Sequence, residues 1–303
     1  MGAPVVVLAG GTGGAKLARG MLDVAGEDLV VIANTGDDIE TYGTHVSPDP
    51  DLVSYWLADR IDERGWGLRG DTFNVMDALR ELGEDVWFNL GDRDLAVCLL
   101  RARRLREGAT LTQALAELGA ALGLTARVLP MCDQPVRTRV LARGAWHDFQ
   151  DFMIRERGAG PVDGLEYRGI EAATAPAEAL EAIAAARAIV IGPSNPVISI
   201  RPILSVPGLG KALRAANAAV VAVSPIVGGA VLKGPTEPFM AWAGLPLSAA
   251  GVAQAYGGLI DGIVADEDVD GLPALRTDTL MADPGARRRV AQETLRFAEE
   301  LAP

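Results

Sequence analysis

Val5-Val6-Val7-Leu8-Ala9-Gly10-Gly11-Thr12-Gly13-Gly14-Ala15-Lys16 runs from unbroken aliphatic text into a glycine loop and on into helical spacing. Five consecutive apolar residues closed by glycine read as a strand covered on both faces, the kind that parallel sheets use. A helix is expected over residues 15–24. A second apolar run follows, Leu29-Val30-Val31-Ile32-Ala33, and it ends in Asn34-Thr35-Gly36-Asp37-Asp38. Strand, glycine loop, helix and strand make a βαβ opening, and sheets of that kind bind their ligands at the carboxyl ends of the strands.

The same grammar extends outward from this unit. Residues 72–82 have helical spacing and stop at Gly83, and residues 86–90 read as a strand running into Gly91-Asp92-Arg93-Asp94. Leu111, Leu115, Leu118 and Leu122 form the apolar stripe of a packing helix with Thr110 or Thr112 at its start. From about 126 to 170 the text changes to Arg-rich alternation, as in Arg137-Thr138-Arg139-Val140-Leu141, and predicts an antiparallel or helical insertion, a small lobe within the domain. Helices at 176–186 and 208–217 then lead into strands at 188–191 and 219–223. A last strand candidate spans 262–265, and a charged helix covers 284–301. The expectation is α/β: one Rossmann-like, doubly wound domain over residues 1–303 with a mainly parallel sheet.

Bulk properties narrow the function. The net charge of −12 argues against nucleic acid or an anionic membrane as partner, which leaves small molecules. No run approaches the roughly 20 apolar residues of a membrane span, and the N-terminal text has no basic leader, so a cytoplasmic location is expected. Met1-Gly2 begins like a myristoylation signal, but Val6 stands where Ser or Thr belongs. Cys98 and Cys132 are the only cysteines and have no metal-like spacing; buried, inert thiols are the expectation. With only His45 and His147, a Ser-His-Asp or multi-His site is hard to assemble, so carboxylates must carry the chemistry.

Each motif has a plain reading beside a chemical one. Gly10 to Lys16 completes neither the dinucleotide fingerprint, because Lys16 stands where the third glycine belongs, nor a Walker A loop, because Lys16 lies between Ala15 and Leu17. It is a tight strand-to-helix turn, or a phosphate contact with Thr12 and Lys16 as donors at a helix N-terminus. Asp37-Asp38 caps a helix or binds a cation. Asp49 and Asp51 follow among Pro-stiffened turns, and four Asp within fifteen residues repel one another unless a divalent ion sits among them. Asp71 is foremost a cap. Gly91-Asp92-Arg93-Asp94 is a self-paired turn or a substrate clamp. The uncharged Gly192-Pro193-Ser194-Asn195-Pro196 is a bare turn or a grip on a nucleotide base or phosphate, not a catalytic element, and Lys233, beside a glycine-rich turn, reads as a solvated lysine.

Taken together, these segments resemble the 2-phospho-L-lactate transferase family, which assembles the deazaflavin coenzyme F(420). The resemblance rests on the glycine loop, Asn34 to Asp38, Ser47-Pro48-Asp49-Pro50-Asp51, Gly65-Trp66-Gly67, Leu90 to Asp94, Leu129-Pro130-Met131, Phe149-Gln150-Asp151-Phe152, Gly192 to Pro196, Val223-Ser224-Pro225-Ile226 and Thr277-Asp278-Thr279-Leu280-Met281, in that order along nearly the whole chain. It implies Mg²⁺-dependent transfer of a phosphoenolpyruvyl or 2-phospholactyl group from a guanosine diphosphate donor to the ribityl hydroxyl of the deazariboflavin Fo, with release of GMP. It further implies a homodimer. On these positions Gly11, Thr12, Gly13, Gly14, Lys16, Gly192, Pro193, Ser194, Asn195, Ser224 and Pro225 would line the donor site. Asp49, Asp51, Asn89, Asp92 and Arg93 would lie by the deazaflavin. Asp37 and Asp51 are expected to hold the metal, with Asp37 and Asp38 as the catalytic carboxylates. After Asp94-Leu95-Ala96 the family commonly continues Thr-His, whereas Val97-Cys98 stand here, so no role of that His carries over; Asn89 replaces a residue that is often basic.

A different class of function is a cytoplasmic, nucleotide-sugar-binding regulatory protein sharing the N-terminal glycine loop. It would not need Asp49, Asp51 or the Gly91 to Asp94 turn. An NAD-dependent oxidoreductase is disfavoured by Lys16 and by Asn34, which stands where an acid should end the second strand.

Overall fold

The computed structural model describes residues 2–232 and 234–302; Met1, Lys233 and Pro303 lie outside the described residues. Seven strands form the central sheet: β1 (Val5–Ala9), β2 (Leu29–Ala33), β3 (Arg127–Pro130), β4 (Ala188–Ile191), β5 (Val220–Val223), β6 (Gly262–Ala265) and β7 (Ala274–Arg276). Their order is β7-β6-β5-β4-β1-β2-β3 and every pairing is parallel. From β1 the chain winds one way through β2 to β3, then returns beside β1 at β4 and winds the other way. The order therefore reverses between β1 and β4, and a crevice opens there beyond the carboxyl ends of the strands.

Strand burial explains the unbroken apolar runs. All five residues of β1 and of β2 are buried. Val6, Leu8, Val30 and Ile32 enter the core under helices Ala177–Ala184 and Leu209–Ala215, while Val5, Val7, Val31 and Ala33 enter the core under helices Gly11–Ala25 and Pro284–Leu301. Burying a side chain of this size contributes about 1.5–3 kcal/mol, so the two cores fix the sheet and with it the loops at its carboxyl edge.

Three differences from the sequence reading matter. Residues 126–130 belong to the central sheet through β3, so the antiparallel part begins later, as strands Arg137–Ala142, Ala145–Asp148 and Gly164–Arg168 with the first in the middle. Its Arg-rich alternation is a one-sided strand: Thr138, Val140 and Ala142 point inward while Arg137, Arg139 and Leu141 are half-buried. Residues 86–90 are not a strand. The N–H groups of Val86 and Trp87 close local turns on Glu84 and Asp85, and Phe88 N donates to Tyr42 Oη at 3.0 Å. Gly91 instead opens the helix Asp92–Arg106, which has Asp92 and Asp94 in its first turn and Arg103, Arg104 and Arg106 in its last, as the helix dipole favours. Likewise Pro48-Asp49-Pro50-Asp51 is no loop but the first turn of helix Pro48–Leu57, with proline at a position where its missing N–H costs nothing. The short edge strand β7 had no periodic signal to announce it.

Candidate active site

At the reversal of strand order the loops after β1 and β4 interlock. Gly10 N donates to Ser194 Oγ at 3.1 Å. A Cβ on Gly13 would collide with the Pro193 carbonyl, and one on Gly192 would lie 3.0 Å from Gly14 Cα. Glycine is therefore required here for close backbone approach, not for flexibility. Above this contact lies a cavity of about 460 Å³, lined by Gly10, Gly11, Thr12, Gly13 and Lys16 on one wall, by Pro193, Ser194, Asn195, Ser224 and Pro225 on the other, and by Asp37, Asp49, Phe149, Gln150 and Met153. Gly14 and Gly192 lie beneath it as spacers. Asn195 Oδ1 accepts from Val197 N and Ile198 N at 2.9 and 3.2 Å, and Ser224 Oγ accepts from Ile226 N at 3.1 Å, so both side chains fix their own loops.

The carboxylates separate into two groups. Asp49 reaches the glycine loop: its Oδ1 accepts from Gly11 N at 2.6 Å and its Oδ2 from Asn34 Nδ2 at 2.9 Å. One backbone N–H that the sequence offers to a phosphate is thus already met by a carboxylate. Asp38 accepts from Ser47 Oγ at 2.8 Å and pairs with His45 Nε2 at 2.9 Å. Asp37 is 6% exposed, and its Oδ1 has no hydrogen-bond partner; an orphaned buried group of this kind costs about 1–3 kcal/mol. Burial first, then the charges of Asp49 and Asp38, push the Asp37 carboxyl well above the ordinary carboxylate range. Burial likewise pushes Asp49 up to about 6, against its hydrogen bonds from Asn34 and Gly11. Like charges that burden one another beside an unpaired oxygen are what a hard divalent cation relieves, so Asp37 and Asp49 fit a Mg²⁺ site.

Asp51, expected beside Asp37 as a metal ligand, has another partner. Its two oxygens accept from Arg101 Nη1 at 2.6 Å and Nη2 at 2.7 Å, and Arg101 is fully buried. Among the described residues, Asp51, Asp94 and Cys98 are the one group of three acidic, thiol or imidazole side chains whose ligand atoms lie within 4.8 Å of one another. The guanidinium already supplies the positive charge there, with Nη2 at 3.5 Å from Cys98 Sγ. Asp94 accepts from Tyr55 Oη at 2.6 Å, and burial, with the Asp51 charge, pushes its carboxyl up to about 7.

The 89–93 segment also has structural partners. Asp92 accepts from Thr72 Oγ1, Asn74 N, Asn74 Nδ2 and Val75 N, which makes it the cap of helix Asn74–Glu81 from a distance in sequence. Asn89 Oδ1 accepts from Arg80 at 2.8 Å, and Arg93 lies near the Arg69 carbonyl. Asp71, read foremost as a cap of the helix just after it, instead accepts from Arg93 N and Asp94 N, besides its neighbour Thr72 N, and so caps helix Asp92–Arg106. Asn89, Asp92 and Arg93, expected by the deazaflavin, line neither the cavity above the glycine loop nor the one bounded by Asp37 and Arg137.

A second cavity, of about 480 Å³, adjoins the first. It is bounded by residues 36–40, Arg137, Thr138 and Arg139, Arg168, and again by Asp37, Phe149 and Gln150. Asp37 therefore faces both spaces, and Gln150 Nε2 donates to its carbonyl at 3.0 Å. Sequence reasoning missed Arg101, one arginine in a helix of several, and Thr138, one alternating position of a strand. Gln150 had a signal, as part of a quoted motif without an assigned role.

Fold and site define a class: a doubly wound α/β protein whose switch-point cleft joins a glycine-loop wall to buried carboxylates. The chain belongs to the family of "2-phospho-L-lactate transferase CofD", whose model matches residues 5–281. It is 39% identical over 300 residues to the 2-phospho-L-lactate transferase of Methanosarcina mazei, covering 95% of this chain and 98% of that one. It is also 39% identical over 315 residues to the phosphoenolpyruvate transferase of Streptomyces coelicolor, covering 98% of each. A crystal structure of a UPF0052-family protein from Bacillus halodurans superposes with a TM-score of 0.65 over 97% of this chain and 99% of that one; at 18% identity it speaks for the fold alone. The protein is accordingly a transferase.

Proposed function

We propose that this transferase acts in coenzyme F(420) assembly, moving a phosphoenolpyruvyl or 2-phospholactyl group from a guanosine diphosphate donor to the ribityl hydroxyl of Fo. The hydroxyl oxygen forms a bond to the distal phosphorus, the bond from that phosphorus to the bridging oxygen breaks, and GMP leaves with that oxygen. The single observation that carries this reading is Asp37, which faces both the glycine-loop cavity and the second cavity. A group at that junction can meet donor and acceptor together. The nucleotide would lie against Gly11 to Lys16 and Pro193 to Asn195, where helix N-terminal N–H groups and Lys16 favour phosphate.

Asp49 and one oxygen of Asp37 would hold Mg²⁺, which when bound supplies charge neutralisation at the transferring phosphoryl group. The other Asp37 oxygen is left to take the hydroxyl proton. Ser47 and the imidazole of His45 orient Asp38 behind it. The net charge of −12 and the family support an enzyme of small molecules, and we propose that it works in the cytoplasm as a homodimer.

Binding separates this reading from the regulatory one. The purified protein should bind Fo and a guanosine diphosphate. Binding of a nucleotide sugar without any binding of Fo would overturn the transferase assignment to Fo.

A further inference from the structure

Arg137 and Arg168 stand directly opposite each other on the neighbouring antiparallel strands Arg137–Ala142 and Gly164–Arg168, and both line the second cavity together with Asp37. Like charges in register across two strands weaken the pairing, whereas the next pair on that face, Arg139 and Glu166, is of opposite sign. Arg139 is met on two sides, by Asp148 at 3.2 Å and by Glu166 at 3.1 Å. Arg137 donates to the Val136 carbonyl at 2.8 Å and to Glu40, a carboxylate that it shares with His45 Nδ1. Arg168 is exposed and, among the described residues, has no hydrogen-bond or ion-pair partner. The backbone holds it at the cavity. Gly169 turns at a φ of 89°, and a Cβ there would lie 2.6 Å from the Pro135 carbonyl, so glycine lets the chain after Arg168 close on the chain before Arg137.

We propose that Arg168, with Arg137 beside it, clamps the carboxylate of the group that is transferred. The clamp rests on the transfer reading above and adds to it the residues that recognise what the donor carries. Enolpyruvyl and lactyl groups both bear a carboxylate on the carbon that holds the phosphate ester oxygen, and an unpaired guanidinium fork meets a carboxylate with two parallel hydrogen bonds. In an in-line transfer the attacking and leaving oxygens share one axis through the phosphorus, so the ester oxygen and its organic group project to the side of that axis. Asp37, where the two cavities meet, marks the place of that phosphorus, and the Arg137 strand runs past it, with Thr138 N donating to Gly36 O at 2.7 Å. The arginine wall therefore lies to the side of the phosphoryl site. A carboxylate between the two guanidinium groups also removes their mutual repulsion. Guanosine diphosphate has no such carboxylate, so the clamp favours a loaded donor over the bare nucleotide.

The test is calorimetric titration of the full chain with Mg²⁺ present, for wild type, Arg168→Gln and Arg168→Lys. The ligands are lactyl-diphosphoguanosine, the ethyl ester of guanosine diphosphate on its distal phosphate, which has no carboxylate, and guanosine diphosphate itself. Arg168→Gln should weaken binding of the lactyl donor by about tenfold, as expected for loss of a charge-assisted contact, and leave the other two ligands within about twofold. Its Tm should equal or exceed that of wild type, because the like-charged pair is relieved. Arg168→Lys keeps the charge without the fork and should fall between the two. Wild-type affinity for the lactyl donor in Arg168→Gln, or an equal loss for all three ligands, would overturn the clamp while leaving the transfer reading intact. A lactyl donor bound with this dependence on Arg168 but never passed to Fo would uphold the clamp and overturn transfer to Fo.

Discussion

Arg101 and Asp51 form a bidentate ion pair with both partners buried, Nη1–Oδ1 2.6 Å and Nη2–Oδ2 2.7 Å, joining helix Asp92–Arg106 to helix Pro48–Leu57. Arg101 also donates from Nε and Nη2 to the His45 carbonyl, at 3.2 and 3.1 Å. One guanidinium thus fixes the helix whose first turn holds Asp49 and the residue that holds Asp38. Replacing Arg101 with leucine leaves Asp51 charged and unpaired beside Asp94. The expected loss is about 3–5 kcal/mol of folding free energy, read from urea denaturation, and Arg101→Lys should recover little because lysine lacks the planar fork.

Asp37 illustrates a trade between stability and function. Its carboxylate is buried, unpaired at Oδ1 and burdened by Asp49 and Asp38. Asp37→Asn removes that charge, so the variant should gain about 0.5–2 kcal/mol in stability near pH 8. It should also lose transfer activity by about 10²-fold or more, because on the proposed mechanism the metal and the hydroxyl lose their shared carboxylate. Thermal unfolding and product formation check the two halves separately.

Asp49, pushed up to about 6 from 3.8, sets a pH window. Between about pH 4 and pH 6 the unfolded chain releases a proton that the folded chain keeps, so this residue's contribution to stability falls as pH rises through that window and is level above it. In the proposed site Mg²⁺ competes with the same proton. The stabilisation produced by added Mg²⁺ should therefore be small at about pH 5 and full at about pH 8, as measured by thermal unfolding with and without the ion.

His45 lies between Asp38 and Glu40, with Nε2 at 2.9 Å and Nδ1 at 3.3 Å from their oxygens. Burial opposes its charge, but the two carboxylates outweigh burial and raise its affinity for protons above the ordinary 6.5. The stabilisation is fully present below pH 6.5 and is lost as pH rises through the higher folded value. The stability difference between wild type and His45→Gln should accordingly shrink between pH 6.5 and about pH 9, read from urea denaturation across that range.

How much the sequence announces follows from what kind of signal each element carries. β1, β2, β4, β5 and β6 are buried on both faces and read directly as apolar runs, and helices Leu111–Leu122 and Pro284–Leu301 are legible from their stripe and proline start. Val86 to Leu90 has strand-like composition, but its N–H groups close local turns and reach a tyrosine hydroxyl, a tertiary choice that composition does not encode. In the site, the two glycine loops and the four Asp are visible from residue type and spacing. Their partners are not: nothing in the text distinguishes Arg101 from Arg103 or Arg104, yet only the first is buried against Asp51. Thr138 is hidden in the same way, since its approach to the Asp37 carboxyl is a property of the packed strand.

The central claim is transfer to Fo, and the mass of the product tests it most directly. Protein, Fo and Mg²⁺ are incubated with enolpyruvyl-, lactyl- or glyceryl-diphosphoguanosine, and the mixture is resolved by mass spectrometry. The account predicts an Fo adduct whose added mass is that of phosphoenolpyruvate or 2-phospholactate less water, with GMP formed one for one. No adduct from any of the three donors, at protein and Mg²⁺ levels where the chain is folded and binds guanosine diphosphate, would contradict it.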